Sequence, residues 1–341
     1  MAIFLFLRNA TLCLLLVVAP LETTTGQVLE PAKVFKFSEL DRLQPQPSTD
    51  PHKYTISDEH FGFIHAEKQV FFGYGCLTFD LTSSKLECTL PSTLTDATLS
   101  LDGKVVFGCL ADGKPFYLNT ESNTSKLPKF CPDPYRMSGL HSNLRWILES
   151  GVEKNYIHSS SRVDIFTRKE KSSSKTNNGY GKVVFSGDGK YIVMIGLLVP
   201  FRLIEINSMQ WLPIDKEFDF IKPTKIHFSS SFSIARSHDV SMIATDYKFS
   251  EEVEPDPKKQ KALVIWDRKK KAFLWKKIGI STPIAFSPNN RYLMIKGAVW
   301  DWKADKQIAS GILGNVGKFS VDGHLLITRD REALYLYRLP I

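Results

Sequence analysis

No His-Glu-x-x-His pair and no phosphate-cradling glycine loop occurs in the 341 residues. Two compact signatures of enzymatic sites, those of zinc hydrolases and of nucleotide-binding folds, are thereby excluded. Cysteine is scarce, five residues in all, and no two of them stand two to four positions apart as zinc ligands usually do. The apolar N-terminal stretch is also short. Arg8 and Asn9 interrupt it, and it runs unbroken only from Leu12 to Pro20, against the ~20 residues that a membrane-spanning helix needs. What is present is ordinary globular composition, 43% hydrophobic and 23% charged, which argues against a disordered chain or a membrane bundle and allows a sizeable core. Basic residues outnumber acidic ones to a net charge of +8, with a pI near 9.1, so acidic partners are favoured without being identified.

In the N-terminus, MAIFLFLRNATLCLLLVVAPLETTTGQ, one cation precedes the apolar run and small, polar residues follow it. That order reads as a signal peptide over residues 1–26, cut near Gly26 where small residues precede the bond, and retention as an anchor is the other reading. With the signal removed no stable membrane insertion is expected, and the protein is secreted or held in the secretory lumen. Cys13 leaves with the signal. Cys76, Cys88, Cys109 and Cys131 remain, an even number that suits one or two disulfides in an oxidising compartment, against the plainer reading of four buried thiols. Four cysteines allow three connectivities. Asn123-Thr124-Ser125 is an N-glycosylation acceptor, usable on that route.

A short turn motif recurs: Leu99-Ser100-Leu101-Asp102-Gly103, Phe185-Ser186-Gly187-Asp188-Gly189, Phe286-Ser287-Pro288-Asn289-Asn290 and Phe319-Ser320-Val321-Asp322-Gly323. Each lies between apolar runs, and Asp, Asn and Gly tolerate the positive φ that a tight hairpin needs. Looser versions near Glu67, Asn143 and Asp239 bring the turns to seven, spaced 33 to 51 residues apart. That spacing is of the order of a four-stranded repeat. Seven alternating strands follow them: CLTFDL, PFYLNT, VDIFTR, LIEINS, LVIWDR, AVWDWK and LYLYRL. After LVIWDR comes AFLWKK, an outer strand with Phe273 and Trp275 expected to be buried by alternation.

A Phe-Ser-x-Asp-Gly turn with a Val-x-Ile-Trp-Asp strand resembles the Trp-Asp-repeat (WD-repeat or YVTN-like) β-propeller superfamily, from about Tyr54 to Ile341. The dipeptide stands in its usual place at Trp266-Asp267. Turns, strands and resemblance together predict an all-β, seven-bladed propeller over residues 54–341. The resemblance implies that an N-terminal strand completes the last blade. Ala32 to Leu40 has the alternation for this, followed by a proline-rich connector, so that residues 27–53 form a closing strand and connector. Polar loops are expected at Arg168–Gly179 and Ser250–Lys261. On the blade register Cys109 and Cys131 fall near one face of one blade, which makes them the first pair to expect.

Candidate chemistry is thin. Ser237-His238-Asp239 holds the residue types of a hydrolase triad, but strand neighbours point to opposite faces, and a turn capped by its own side chains is the expectation. His60 and His65 have no matching carboxylate pair, and no metal or cofactor is expected. Lys269, Lys270 and Lys271 are read as a solvated turn, with weak binding to acidic glycans as the functional alternative. Nucleic acid is not an expected partner. The function expected is that of a non-catalytic scaffold offering its loop faces to another protein. The alternatives are a propeller hydrolase or lyase with a site in the central channel, or an intracellular scaffold whose N-terminus only imitates a signal.

Overall fold

The computed structural model describes residues 26–43, 61–64, 68–72, 75–91, 94–100, 103–122, 124–125, 131, 137–140, 146–153, 156–164, 170–172, 180–186, 188, 190–196, 202–210, 234–248, 261–270, 272–280 and 282–341. The signal stretch before Gly26, Asn123, His60, His65, Lys271 and the turns at Glu67 and Asn143 lie outside them. Among the described residues the strands form six sheets, with one short helix, Phe37–Leu43.

The first sheet holds Gly62–Ile64, Gln69–Phe71, Leu77–Asp80 and Lys85–Cys88. The second holds Leu94–Leu99, Val105–Leu110, Pro115–Asn119 and Thr124–Ser125. The third joins Met137–Leu140, Trp146–Glu153, Tyr156–Asp164 and Glu170–Ser172 to Tyr180–Phe185, Tyr191–Gly196 and Arg202–Glu205. Among the described residues the strand pairing that joins the two halves is Ile157 with Tyr180. Ile234–Arg236, Met242–Lys248, Lys261–Asp267 and Ala272–Ile278 form the fourth sheet. Pro283–Phe286, Tyr292–Ile295, Gly297–Asp301 and Lys306–Ile312 form the fifth, and Val316–Phe319, Leu325–Arg329 and Ala333–Arg338 the sixth. Neighbouring strands within these runs are antiparallel, as short connections require.

The chain's N-terminal part adds strands to two of these sheets. Lys33–Lys36 runs antiparallel along Ala333–Arg338, pairing Phe35 with Leu334, and so becomes the outer strand of the sixth sheet. Its Phe35 is buried edge-on against Phe72 and Phe79 of the first sheet region. The expected strand over Ala32–Leu40 is therefore shorter than its alternation indicated, and the helix takes over at Phe37. The reason is local: the partner strand begins at Ala333, so the antiparallel ladder ends at Lys36, and Phe37 N–H is already held by the Glu332 carbonyl at 3.0 Å. Glu39 in the first turn and Arg42 in the last suit the helix dipole, while Phe37 and Leu40 face inward, each about 2% exposed. Gln27–Val28 was not foreseen. It lies parallel to Lys306–Ile312, a fifth strand on the fifth sheet.

Two further expectations need correcting, and the expected disulfides are found. Phe273 is 44% exposed, because a bulge opposite Ile265 and Trp266 leaves Leu274 unpaired and breaks the alternation. Of the strand expected as VDIFTR, Val163 and Asp164 end Tyr156–Asp164 and the rest lies outside the described residues, while Glu170–Ser172, expected within a polar loop, pairs beside it through Arg162 and Lys171. The cysteines pair as Cys76 with Cys88 and Cys109 with Cys131. The first bond lies across Leu77 and Cys88 in the first sheet, and the second joins the two cysteines that the register places near one face.

Tyr335 of the last strand shows how tightly this region is packed. Burial, reinforced by its bond to the Asp330 carboxylate at 2.7 Å, pushes the phenol up to about 12. Since the folded value lies above the unfolded one of about 10, the contribution to stability is complete below pH 10 and is lost as the pH rises through about 12. Ultraviolet titration against Tyr335→Phe should show no phenolate from this residue below pH 11, and Asp330→Asn should bring its ionisation down.

Candidate functional site

Each of five turns is built around a serine that is at most 1% exposed: Ser100, Ser186, Ser237, Ser287 and Ser320. The serine N–H donates to the carbonyl five residues on, and its Oγ accepts the N–H of that same residue, at 2.8 to 3.0 Å throughout. In four of them the Oγ also donates to the carboxylate or amide two residues on: Asp188, Asp239, Asn289 and Asp322. The residue after that one takes positive φ at Gly103, Val240, Asn290 and Gly323. Gly, Asn and Asp accept this conformation cheaply, whereas Val240 does so while fully buried, its burial offsetting the strain.

Ser237-His238-Asp239 is one of these turns. Ser237 Oγ reaches Asp239 at 3.0 Å and caps Met242 N–H, so the serine serves the turn, as its sequence context indicates, and not an acid–base relay. Burial works against ionisation of Asp239, but the bonds from Ser241 and Ser237 and the Lys269 charge outweigh it and hold its carboxyl below the usual range. Lys269 lies 3.8 Å from Asp239, and Lys270 lies 4.0 Å from Asp267, the acid of the Trp-Asp pair, which also accepts Lys270 N–H. The lysine turn thus stands beside the serine turn of its own sheet.

Four of these turns, those of Ser100, Ser237, Ser287 and Ser320, frame a cavity of about 670 Å³. Phe63, Leu99 and Phe319 supply apolar wall, and Val321, 67% exposed, stands at its rim. His238 and Asp239 come from the fourth sheet, Pro288 and Asn290 from the fifth, Lys104 from the second and Lys318 from the sixth. Five of the six sheets contribute. The third is tied in through Asp188 N–H, which donates to the His238 carbonyl at 3.1 Å. Lys104 is paired with Glu121 at 3.0 Å, and the Lys318 ammonium sits over the Phe61 ring, 5.7 Å from its centre. Among the described residues no group of three or more His, Cys, Asp and Glu could hold a metal ion. Sequence reasoning named Asp239 as a turn position, and His238 only within a rejected triad. It missed Lys104, Glu121 and Lys318, whose signal is no more than their place near the turns.

No protein-family model matches the sequence, and no curated protein does. Solved structures do. Hydrazine synthase of Kuenenia stuttgartiensis is 15% identical, over 83% of this chain and 95% of that one, with a TM-score of 0.53. An oligogalacturonate lyase in complex with manganese is 12% identical, over 82% and 88%, at 0.56. A chain from a mitotic checkpoint complex is 13% identical, over 99% and 98%, at 0.54. With the sheets above, these define the fold class as a β-propeller. Identities this low speak of fold alone, and enzymes and an assembly component share it.

Proposed function

We propose that this is a secretory-pathway β-propeller of seven blades, without catalytic activity, that binds a protein partner on the face where its serine turns converge. The third sheet counts as two blades divided at Ile157 and Tyr180, and Lys33–Lys36 closes the ring as outer strand of the last. The likeness to Trp-Asp repeats at Trp266-Asp267 supports the count. The two disulfides fit an oxidising compartment, where Asn123 carries a glycan. The observation that carries the reading is the cavity: five sheets give it, an exposed apolar residue, Val321, stands at its rim, and its carboxylates are engaged, Glu121 by Lys104 and Asp239 by two serines. Lys269 and Lys270 beside it, with Lys271 next in the sequence, add weak attraction for acidic groups, glycans included.

The test is binding by the secreted protein. Val321→Asp combined with Lys318→Glu should weaken partner binding by at least about 10-fold, the size of one central interface contact, whereas Phe273→Asp on the outer strand of the fourth sheet should not. Equal affinity for all three proteins would refute the assignment of the face. A second reading, a channel hydrolase or lyase, is favoured by the meeting of His238, Asp239 and Glu121 at one cavity. Turnover of a polyuronate or ester substrate that His238→Ala abolishes would establish it.

A further inference from the structure

We infer that maturation cuts the bond between Thr25 and Gly26, so that Gly26 is the first residue of the finished protein and a working part of its fold. The inference rests on the secretory reading and makes it specific. A small residue must precede the cut, which glycine meets better than the β-branched Thr25, so peptidase preference alone would place the cut after Gly26, and the inference stands on the fold.

The fold has a place for residue 26. Gly26 is buried against the outer strand of the fifth sheet, where Gln27 pairs with Ala309 and Val28 with Ser310. Leu29 N–H donates to the Ser310 carbonyl at 3.0 Å, and Ser310 Oγ to the Gly26 carbonyl at 3.4 Å. A Cβ on residue 26 would come within 2.7 Å of the Gln307 carbonyl oxygen, 2.8 Å of the Ala309 nitrogen and 2.8 Å of the Ile308 carbonyl carbon. All three are strand backbone, which cannot swing aside as a side chain can. Only glycine permits that approach. The partner strand makes room as well: at Gly311, φ 76°, a Cβ would stand 3.1 Å from the Leu29 carbonyl oxygen. Two glycines from opposite sides therefore seat the segment 26–29, and from there the chain passes to Lys33–Lys36 on the neighbouring sixth sheet. A peptidase that removed Gly26 would discard a residue shaped to this seat.

In the reaction water adds across the Thr25–Gly26 peptide bond, leaving a carboxylate on Thr25 and an α-ammonium on Gly26. Gln27, held in an internal peptide, then has no free amine with which to attack its own side-chain amide and expel ammonia.

Intact mass and N-terminal sequencing of the full chain recovered from secreting cells test this. A first residue of Gly26 supports it. A first residue of Gln27, with or without loss of ammonia, or any other cut, overturns it while leaving the secretory reading standing, and an unprocessed chain beginning at Met1 overturns the secretory reading itself. Gly26→Ala supplies a second readout, since alanine is equally acceptable to the peptidase. The secreted variant should melt about 2 °C lower if residue 26 is retained, and identically to the parent if it has been removed.

Discussion

Phe35→Ala should lower the unfolding free energy by about 3–5 kcal/mol, the cost of emptying an aromatic site in a packed core. Phe35 is 3% exposed, with ring centres 5.0 Å from Phe72 and 4.8 Å from Phe79, both edge-on. Its strand reaches this position from near the N-terminus, while the strand it pairs with, Ala333–Arg338, lies at the other end of the chain. The cavity left by the substitution would therefore open where the two ends of the chain are joined. Urea unfolding of the secreted protein measures it. Val34, one residue earlier and 40% exposed, is the control, and Val34→Ala should cost less than about 1 kcal/mol. Equal, small losses for both would mean that Lys33–Lys36 does not hold the last sheet in solution.

Replacing Cys76 and Cys88 together by alanine should cost about 3 kcal/mol. The bond closes a loop with a sequence separation of 12, which restricts the unfolded chain, and Cys76 is fully buried in the same cluster as Phe71 and Phe72. Denaturant midpoints report it: the double variant under oxidising conditions and the parent under strong reductant should both fall, the parent further because reduction also opens Cys109–Cys131. Reductant that leaves the parent's midpoint unchanged would place free thiols at these positions and favour an intracellular chain.

Much of the architecture is legible before any coordinates, because a repeat repeats its physics. Phe-Ser-x-Asp-Gly recurs, and the structure shows why the serine is in it: a buried Oγ that both caps the strand across the turn and fixes the acid beside it. In the sequence, Asp-Gly draws attention by its φ tolerance. The serine is the more constant element, present even at Ser237, where Val240 stands in place of glycine. Alternation is less dependable where a bulge intervenes. Leu274 shifts the register by one residue, and Phe273 is left partly in solvent. Two-residue pairing such as Gln27–Val28 has no periodic signal at all, since its partner is chosen by a tertiary approach between glycines. The cavity is the least legible feature. Lys104, His238 and Lys318 are far apart in the chain and meet only because successive sheets turn their serine loops to one face.

Site-specific photocrosslinking from the turn face tests the central claim most directly. A photoreactive side chain placed at Val321 in the secreted protein should yield one defined protein adduct in conditioned medium, lost when unlabelled protein competes, while the same group at Phe273 yields none. Equal labelling from both positions, or none from Val321 alongside turnover that depends on His238, would contradict a binding propeller that works through its serine-turn face.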